Sequence, residues 1–140
     1  MSNIEIVIGS PYNDVLTGNV YGNVLVGGGG NDVITGGGGR SVLIGGDGAD
    51  TIQGGAADDL IIGGYTAFDS NPAAQHALFA EWQSADTYAN RVGYLSGTLV
   101  DLPHFSGPRL VLGGTGATVF ADAWADGIMG GGGSDWVLPS

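Results

Sequence analysis

The chain has 140 residues, 29 of them glycine, with three Lys+Arg against fourteen Asp+Glu, a formal net charge of −11 and no cysteine. That length fits one domain with a modest core; the charge argues against nucleic acid or an anionic membrane as partner and suits cations, and no disulfide or thiolate metal site is available. Because 43% of residues are hydrophobic and only 12% charged, this is not the composition of a disordered acidic tail, so the glycine serves backbone geometry.

The chain opens with "MSNIEIVIGS", which has neither the basic n-region nor the long apolar h-region of a secretory signal. The protein therefore stays inside the cell or leaves by a route that does not read the N-terminus. No apolar run approaches the roughly 18 residues that a membrane-spanning helix needs. From Gly9 a nine-residue frame begins: Gly9, Gly18, Gly27, Gly36, Gly45, Gly54 and Gly63 all occupy position one. Position eight holds Leu16, Leu25, Ile34, Leu43, Ile52 and Ile61, and position seven holds Val15, Val24, Val33, Val42, Thr51 and Leu60. Each repeat thus pairs a glycine turn with a three-residue strand. Such a strand buries nothing alone, but stacked strands form a solenoid with position eight as its inner column. Two nonapeptides make one flattened coil of 18 residues, with strands spaced about 4.8 Å along the axis. Run backward, the frame puts Glu5 at position six and Val7 at position eight.

"GGGGNDVIT" and "GGDGADTIQ" match the nonapeptide G-G-x-G-x-D-x-U-x. The chain resembles the RTX (haemolysin-type) calcium-binding β-roll proteins over about residues 5–64. The fold class expected is mostly β: a parallel β-roll, or β-solenoid, of these repeats with a short inserted helical segment. The segments "ALFAEWQSADTYANRVGYLSG" and "TVFADAWADGIMGGGGSDW" further resemble a module at the C-terminal ends of large secreted bacterial repeat proteins.

The resemblance implies calcium between turns stacked on the same side of the roll, held by position-six aspartates and by carbonyl oxygens of the glycine turns. Calcium takes six to eight hard oxygen ligands in flexible geometry, which these groups supply. Residues on one side recur every 18, so one column reads Asp14, Asp32, Asp50 and the other Glu5, Asn23, Ser41, Asp59. At least two ions are expected on the first side. The ligand set this implies is Asp14, Asp32 and Asp50 with turn residues Gly27, Gly28, Gly30, Gly45 and Gly48, and beyond them Asp59, Asp126 and Asp135. Asp47 adds a ligand or faces solvent. Arg40, next to Ser41 where the aspartate pattern lapses, either takes the place of calcium with Asp58 or Asp59 as partner or stands free on an exposed turn.

After Gly64 the frame breaks. Ser70 or Asn71 followed by Pro72 is a helix start, with Leu78, Phe79 and Trp82 on one face. Ser84 is expected to cap a second helix in which Tyr88, Val92 and Leu95 share a face and which Gly97 ends. Together they would form a helical cap packed on the roll. Asp69 and Asn71 are alternative calcium ligands, capping being the preferred use of Asn71. "TLVDLPHF" and "RLVLGGTGATVFADAW" read as strands, and "DGIMGGGGSDWVL" restores the repeat with Asp126 and Asp135 at position six. Nine residues apart, these two lie on opposite sides, each needing a partner such as a neighbouring molecule. The chain reads as one domain: roll 1–64, helical cap 65–97, and C-terminal strands 98–140.

His76 and His104 have no nucleophile or metal-ligand spacing beside them, and no G-K-[ST] follows the glycine runs, so no catalytic constellation is expected. Three roles compete. The first is an extracellular calcium-dependent structural protein that associates end to end through bare strand edges into a filament or matrix. The second is a calcium-triggered folding and secretion module of a larger toxin, enzyme or adhesin, with the leaderless type I export that the resemblance implies. A carbohydrate- or ice-binding solenoid is third. Its flat face would want a regular threonine array, whereas position nine reads Thr17, Val26, Thr35, Ile44, Gln53, Ile62. Trp124 or Trp136 could stack on sugar, packing being the expected use of both.

Overall fold

Position eight of the repeat builds the core. Leu25, Ile34, Leu43, Ile52 and Ile61 are fully buried in one column, with Val7, Leu16 and Ile128 partly buried against it. Each such side chain contributes roughly 1.5–3 kcal/mol on burial. The column lies between two parallel sheets in the computed structural model, which describes residues 5–96, 109–111 and 117–138. One sheet stacks β1 (Ile6–Ile8), β3 (Val24–Gly29), β5 (Val42–Asp47) and β7 (Leu60–Ile62). The other stacks β2 (Val15–Thr17), β4 (Val33–Thr35) and β6 (Thr51–Gly55). The register is the 18-residue coil: Val24 pairs with Val42 and Val42 with Leu60, while Val33 pairs with Thr51. The fold is mostly β, a parallel β-solenoid of about three turns with two short helices.

The outer faces of the two sheets differ. On the first, positions seven and nine are apolar, and Val24, Val26, Val42, Ile44, Leu60 and Ile62 are buried. They lie beneath Leu78, Phe79 and Trp82 of α1 (Pro72–Trp82) and Leu95 of α2 (Tyr88–Ser96). On the second, Val15, Thr17, Val33, Thr51 and Gln53 are exposed. The cap expected from the sequence therefore covers one sheet only.

Helix α1 starts as expected: Pro72 occupies its first turn, and Asn71 Oδ1 accepts the Ala74 N–H at 3.2 Å. The expected cap Ser84 is displaced. Helix α2 starts later, with Thr87 Oγ1 accepting the Asn90 N–H and Thr87 O the Arg91 N–H, while Ser84 Oγ accepts from Asp86 in the preceding turn. Beyond the helices, β8 (Tyr65–Thr66) pairs antiparallel with β9 (Val119–Phe120). Of the two expected C-terminal strand stretches, 98–105 lies outside the described residues, and the second is strand only at β9 among its described residues.

The last repeat returns to the roll. β10 (Gly127–Gly131) adds beside β6 with Ile128 opposite Ile52, and β11 (Trp136–Leu138) adds beside β7 with Val137 opposite Ile61. Asp126 and Asp135 thus find partners within their own chain, and no neighbouring molecule is needed. Trp136 packs against Trp82 with ring centroids 6.3 Å apart, whereas Trp124 is exposed, contrary to the packing role expected of it.

Candidate metal centre

The turns between the sheets form two edges. Edge one holds turns 9–14, 27–32 and 45–50 and the approach to Asp126; edge two holds turns 18–23, 36–41, 54–59 and 130–135. Along edge one the position-six residues form a ladder. Asp14 N–H donates to Asp32 Oδ1, Asp32 N–H to Asp50 Oδ1, both at 2.8 Å, and Asp50 N–H to Asp126 Oδ1 at 2.9 Å. One oxygen of each carboxylate is thereby used. The other, Oδ2 of Asp32, Asp50 and Asp126, is buried with no hydrogen-bond partner. An unpartnered buried carboxylate oxygen costs several kcal/mol unless a cation or proton meets it.

The glycine turns make room for these groups. A Cβ on Gly27 would sit 2.2 Å from Asp32 Oδ2, and one on Gly45 2.4 Å from Asp50 Oδ2, so position one stays glycine to admit the carboxylate of its own repeat. Gly28, Gly30 and Gly48 belong to the same turns. Among the described residues no group of three or more Asp, Glu, His or Cys side chains converges on one point. Each gap offers two carboxylates, and further ligands there would have to be turn carbonyls. That all-oxygen donor set fits calcium, which accepts backbone carbonyls alongside carboxylates.

A family model, RTX calcium-binding nonapeptide repeat, matches residues 8–43 and 39–64. Residues 8–64 are RTX calcium-binding nonapeptide repeats. Neither the comparison with curated proteins nor that with solved structures gave a match.

Burial acts on the RTX aspartates as it does on any enclosed carboxyl. Asp50 is raised from 3.8 to about 6, first by burial and then by the charges of Asp32, Asp126 and Asp122, against the opposing Asp32 amide. Asp32 is raised by burial, its neighbour Asp14 adding to the effect. Asp14 differs: its Oδ2 accepts from Ser10 N at 2.6 Å and Ser10 Oγ at 2.9 Å, so the first RTX turn, "GSPYND", satisfies that one oxygen of its carboxylate. Asp47 faces solvent. Asp122 is a group that the repeat pattern could not reveal, lying outside the frame; its Oδ2 accepts the Gly48 N–H at 2.8 Å. Asp69 accepts from Thr66 N and Oγ1, and Asn71 is used as the cap.

Edge two is built differently. Its ladder runs Asn23 N–H to Ser41 Oγ (3.2 Å), Ser41 N–H to Asp59 Oδ1 (2.7 Å) and Asp59 N–H to Asp135 Oδ1 (2.9 Å). Asn23 Oδ1 accepts from Asn19 N, and the buried Ser41 hydroxyl lies within hydrogen-bond distance of the Gly36 and Gly39 carbonyls. Only the last gap pairs two carboxylates. There Asp59 Oδ2 is buried without partner, and Asp59 is raised to about 7, first by burial and then by Asp135 and Asp58.

The basic residue at this edge is not the expected one. Arg40 donates to Ser84 O at 2.8 Å. Asp58 is instead met by Arg91 Nη2 at 2.7 Å, with the guanidinium 5.0 Å over the Trp82 ring. Arg91 is 33 residues from Asp58, beyond the reach of a search along the repeat. His76 Nδ1 lies 2.9 Å from Glu5 Oε2, both exposed; His104 lies outside the described residues.

Proposed function

We propose that the chain is a non-enzymatic, extracellular structural protein whose roll closes around several calcium ions and stacks end to end with copies of itself. The observation that carries the calcium reading is the row of buried, unpartnered Oδ2 oxygens on Asp32 and Asp50, within the matched RTX repeats, and on Asp126, which stacks beside them. Three gaps along edge one, Asp14/Asp32, Asp32/Asp50 and Asp50/Asp126, would take ions, with Asp59/Asp135 as the one such gap on edge two. The surrounding ligands are those of the glycine turns, Gly27, Gly28 and Gly30 in one and Gly45 and Gly48 in the next. RTX proteins are typically secreted, which agrees with an extracellular setting rich in calcium. On this reading the chain is one domain, the cap and the returning C-terminal segment completing the roll.

Two features support stacking. The position-six ladder has a direction, each N–H donating to the side-chain oxygen of the next coil, so among the described residues Asp14 Oδ1 is left at one end and the N–H groups of Asp126 and Asp135 at the other. Among the described residues the inner column also ends in side chains that are only partly buried, Val7 and Leu16 at one end and Ile128 at the other. A head-to-tail contact of that kind does not close on itself and gives a filament. Sedimentation velocity in metal-depleted buffer and in millimolar calcium tests both parts. Large calcium-dependent species support stacking. A compact calcium-dependent monomer retains the calcium reading and favours a folding and secretion module. Identical sedimentation in both buffers overturns it. Asp32→Asn should lower the number of calcium ions bound, measured by equilibrium dialysis.

A further inference from the structure

We infer that the helical cap takes the place of calcium along most of edge two, so that the two edges of one roll are held by different chemistry. Beyond its backbone pairing, a solenoid edge needs something to tie successive turns, and at edge one that something is a cation between carboxylates. At edge two the α1–α2 junction supplies it. Gln83 Nε2 donates to Tyr21 O at 2.9 Å and to Arg40 O at 2.7 Å, bridging turns 18–23 and 36–41 with one amide. Trp82 Nε1 donates to Asp58 O in turn 54–59 at 2.8 Å, and Tyr88 Oη donates to Asp135 O in turn 130–135 at 3.1 Å.

The junction is tied back in the same way, Arg40 Nη1 donating to Ser84 O. Arg91 supplies the positive charge. Its buried guanidinium meets Asp58 Oδ2, while Asp58 Oδ1 accepts the Ser134 N–H from the next turn, so one carboxylate is shared between a cap cation and the following coil. Four side chains within residues 82–91, those of Trp82, Gln83, Tyr88 and Arg91, together with the Ser84 carbonyl therefore touch all four turns of edge two.

The position-six residues agree with this division. Where the cap amide bridges, they are the neutral Asn23 and Ser41, whose hydrogen bonds are met within the protein. Neither leaves a buried carboxylate oxygen for a cation. The lapse in the aspartate pattern is thus the counterpart of Gln83 and Arg91: a calcium ion at Asn23/Ser41 would have too little negative charge to bind, and an aspartate there would have no cation to meet. The residues at the Asn23/Ser41 and Ser41/Asp59 gaps do not fit calcium. The gap at Asp59/Asp135 is the boundary, where carboxylates reappear.

The inference rests on the calcium reading for edge one, and amide hydrogen exchange separates the two. It is run on the full chain at pH 6 in metal-depleted buffer and in millimolar calcium. Metal removal should raise exchange at turns 9–14, 27–32 and 45–50 by about tenfold or more while leaving 18–23 and 36–41 within about threefold. Gln83→Ala should reverse the pattern, loosening 18–23 and 36–41 in saturating calcium with the number of bound ions unchanged. Tyr88→Phe, which removes a single hydroxyl, should loosen 130–135 alone. Equal loss at both edges on metal removal overturns the cap's role and leaves the calcium reading intact. No change at either edge overturns both. Edge-two turns that stay as protected in Gln83→Ala and Tyr88→Phe as in the parent chain also refute the cap's role.

Discussion

In the absence of calcium the roll should lose stability as pH rises from about 4.5 to 8, opposite to the behaviour of a protein held by carboxylate ion pairs. Asp50 is raised from 3.8 to about 6 and Asp59 to about 7, so the unfolded chain gives up these protons before the folded one does. Stability from the protonated carboxyls is fully present below pH 3.8 and is lost as pH passes through about 6 and about 7. The lag costs about 3 kcal/mol for Asp50 and about 4 kcal/mol for Asp59. Together these are comparable with the whole stability of a small domain. Asp58 works the other way, its carboxyl held low by the Ser134 amide and then by Arg91, so its contribution is lost as pH falls below its ordinary range. The metal-free optimum should therefore lie near pH 4–5, between these two effects. Urea unfolding followed by far-UV circular dichroism is the assay. With slopes of about 1–3 kcal/mol/M, Asp50 alone should move the midpoint by roughly 1–3 M. Saturating calcium should abolish the decline, because the ion replaces the proton on the same oxygens. A metal-free midpoint that is flat or rises between pH 5 and 8 would refute the reasoning.

The remaining expectations concern single side chains. Arg91→Met should destabilise the calcium-loaded protein by about 2–4 kcal/mol, because Asp58 is left without its cation, while Arg40→Ala, which removes one hydrogen bond to Ser84 O, should cost about 1 kcal/mol; urea denaturation of the two in calcium should rank them in that order. Ser41→Asp restores the aspartate that the repeat asks for but puts a carboxylate against the Gly36 and Gly39 carbonyls. It should lower metal-free stability by about 1–3 kcal/mol by urea denaturation. Gly46 has φ +106°, and a Cβ there would lie 2.0 Å from the Gly28 carbonyl oxygen. Gly46→Ala should therefore cost about 3 kcal/mol or more by thermal or chemical denaturation.

Much of the solenoid can be read along the chain because its determinants are local and repeat. Position eight lines the inner column from Val7 to Ile61 and again at Ile128, Val137 of the last repeat being exposed, and the position-six residues stack in the two columns that the 18-residue coil requires. Asn71 and Pro72 announce α1 because a cap is a contact across three residues. Position nine carries a signal of equal quality for which sheet the cap covers. Val26, Ile44 and Ile62 alternate with Thr17, Thr35 and Gln53, marking which sheet is covered and which is open. The misplaced second cap reflects two hydroxyls, Ser84 and Thr87, three residues apart, of which only Thr87 meets the first turn of α2.

The amino-acid sequence alone determined the coil length, the inner column, the two edges and the inequality between them, since each follows from residue type at a fixed period. Tertiary structure alone decided what each edge meets. The pairing of Arg91 with Asp58, of Gln83 with Tyr21 and Arg40, and of Asp50 and Asp59 with Asp126 and Asp135 depends on how the non-repeating segment after β7 folds back over one sheet. No local rule encodes that return. It is set by the apolar outer face of β3, β5 and β7, which needs cover, and by open strand edges that accept β10 and β11.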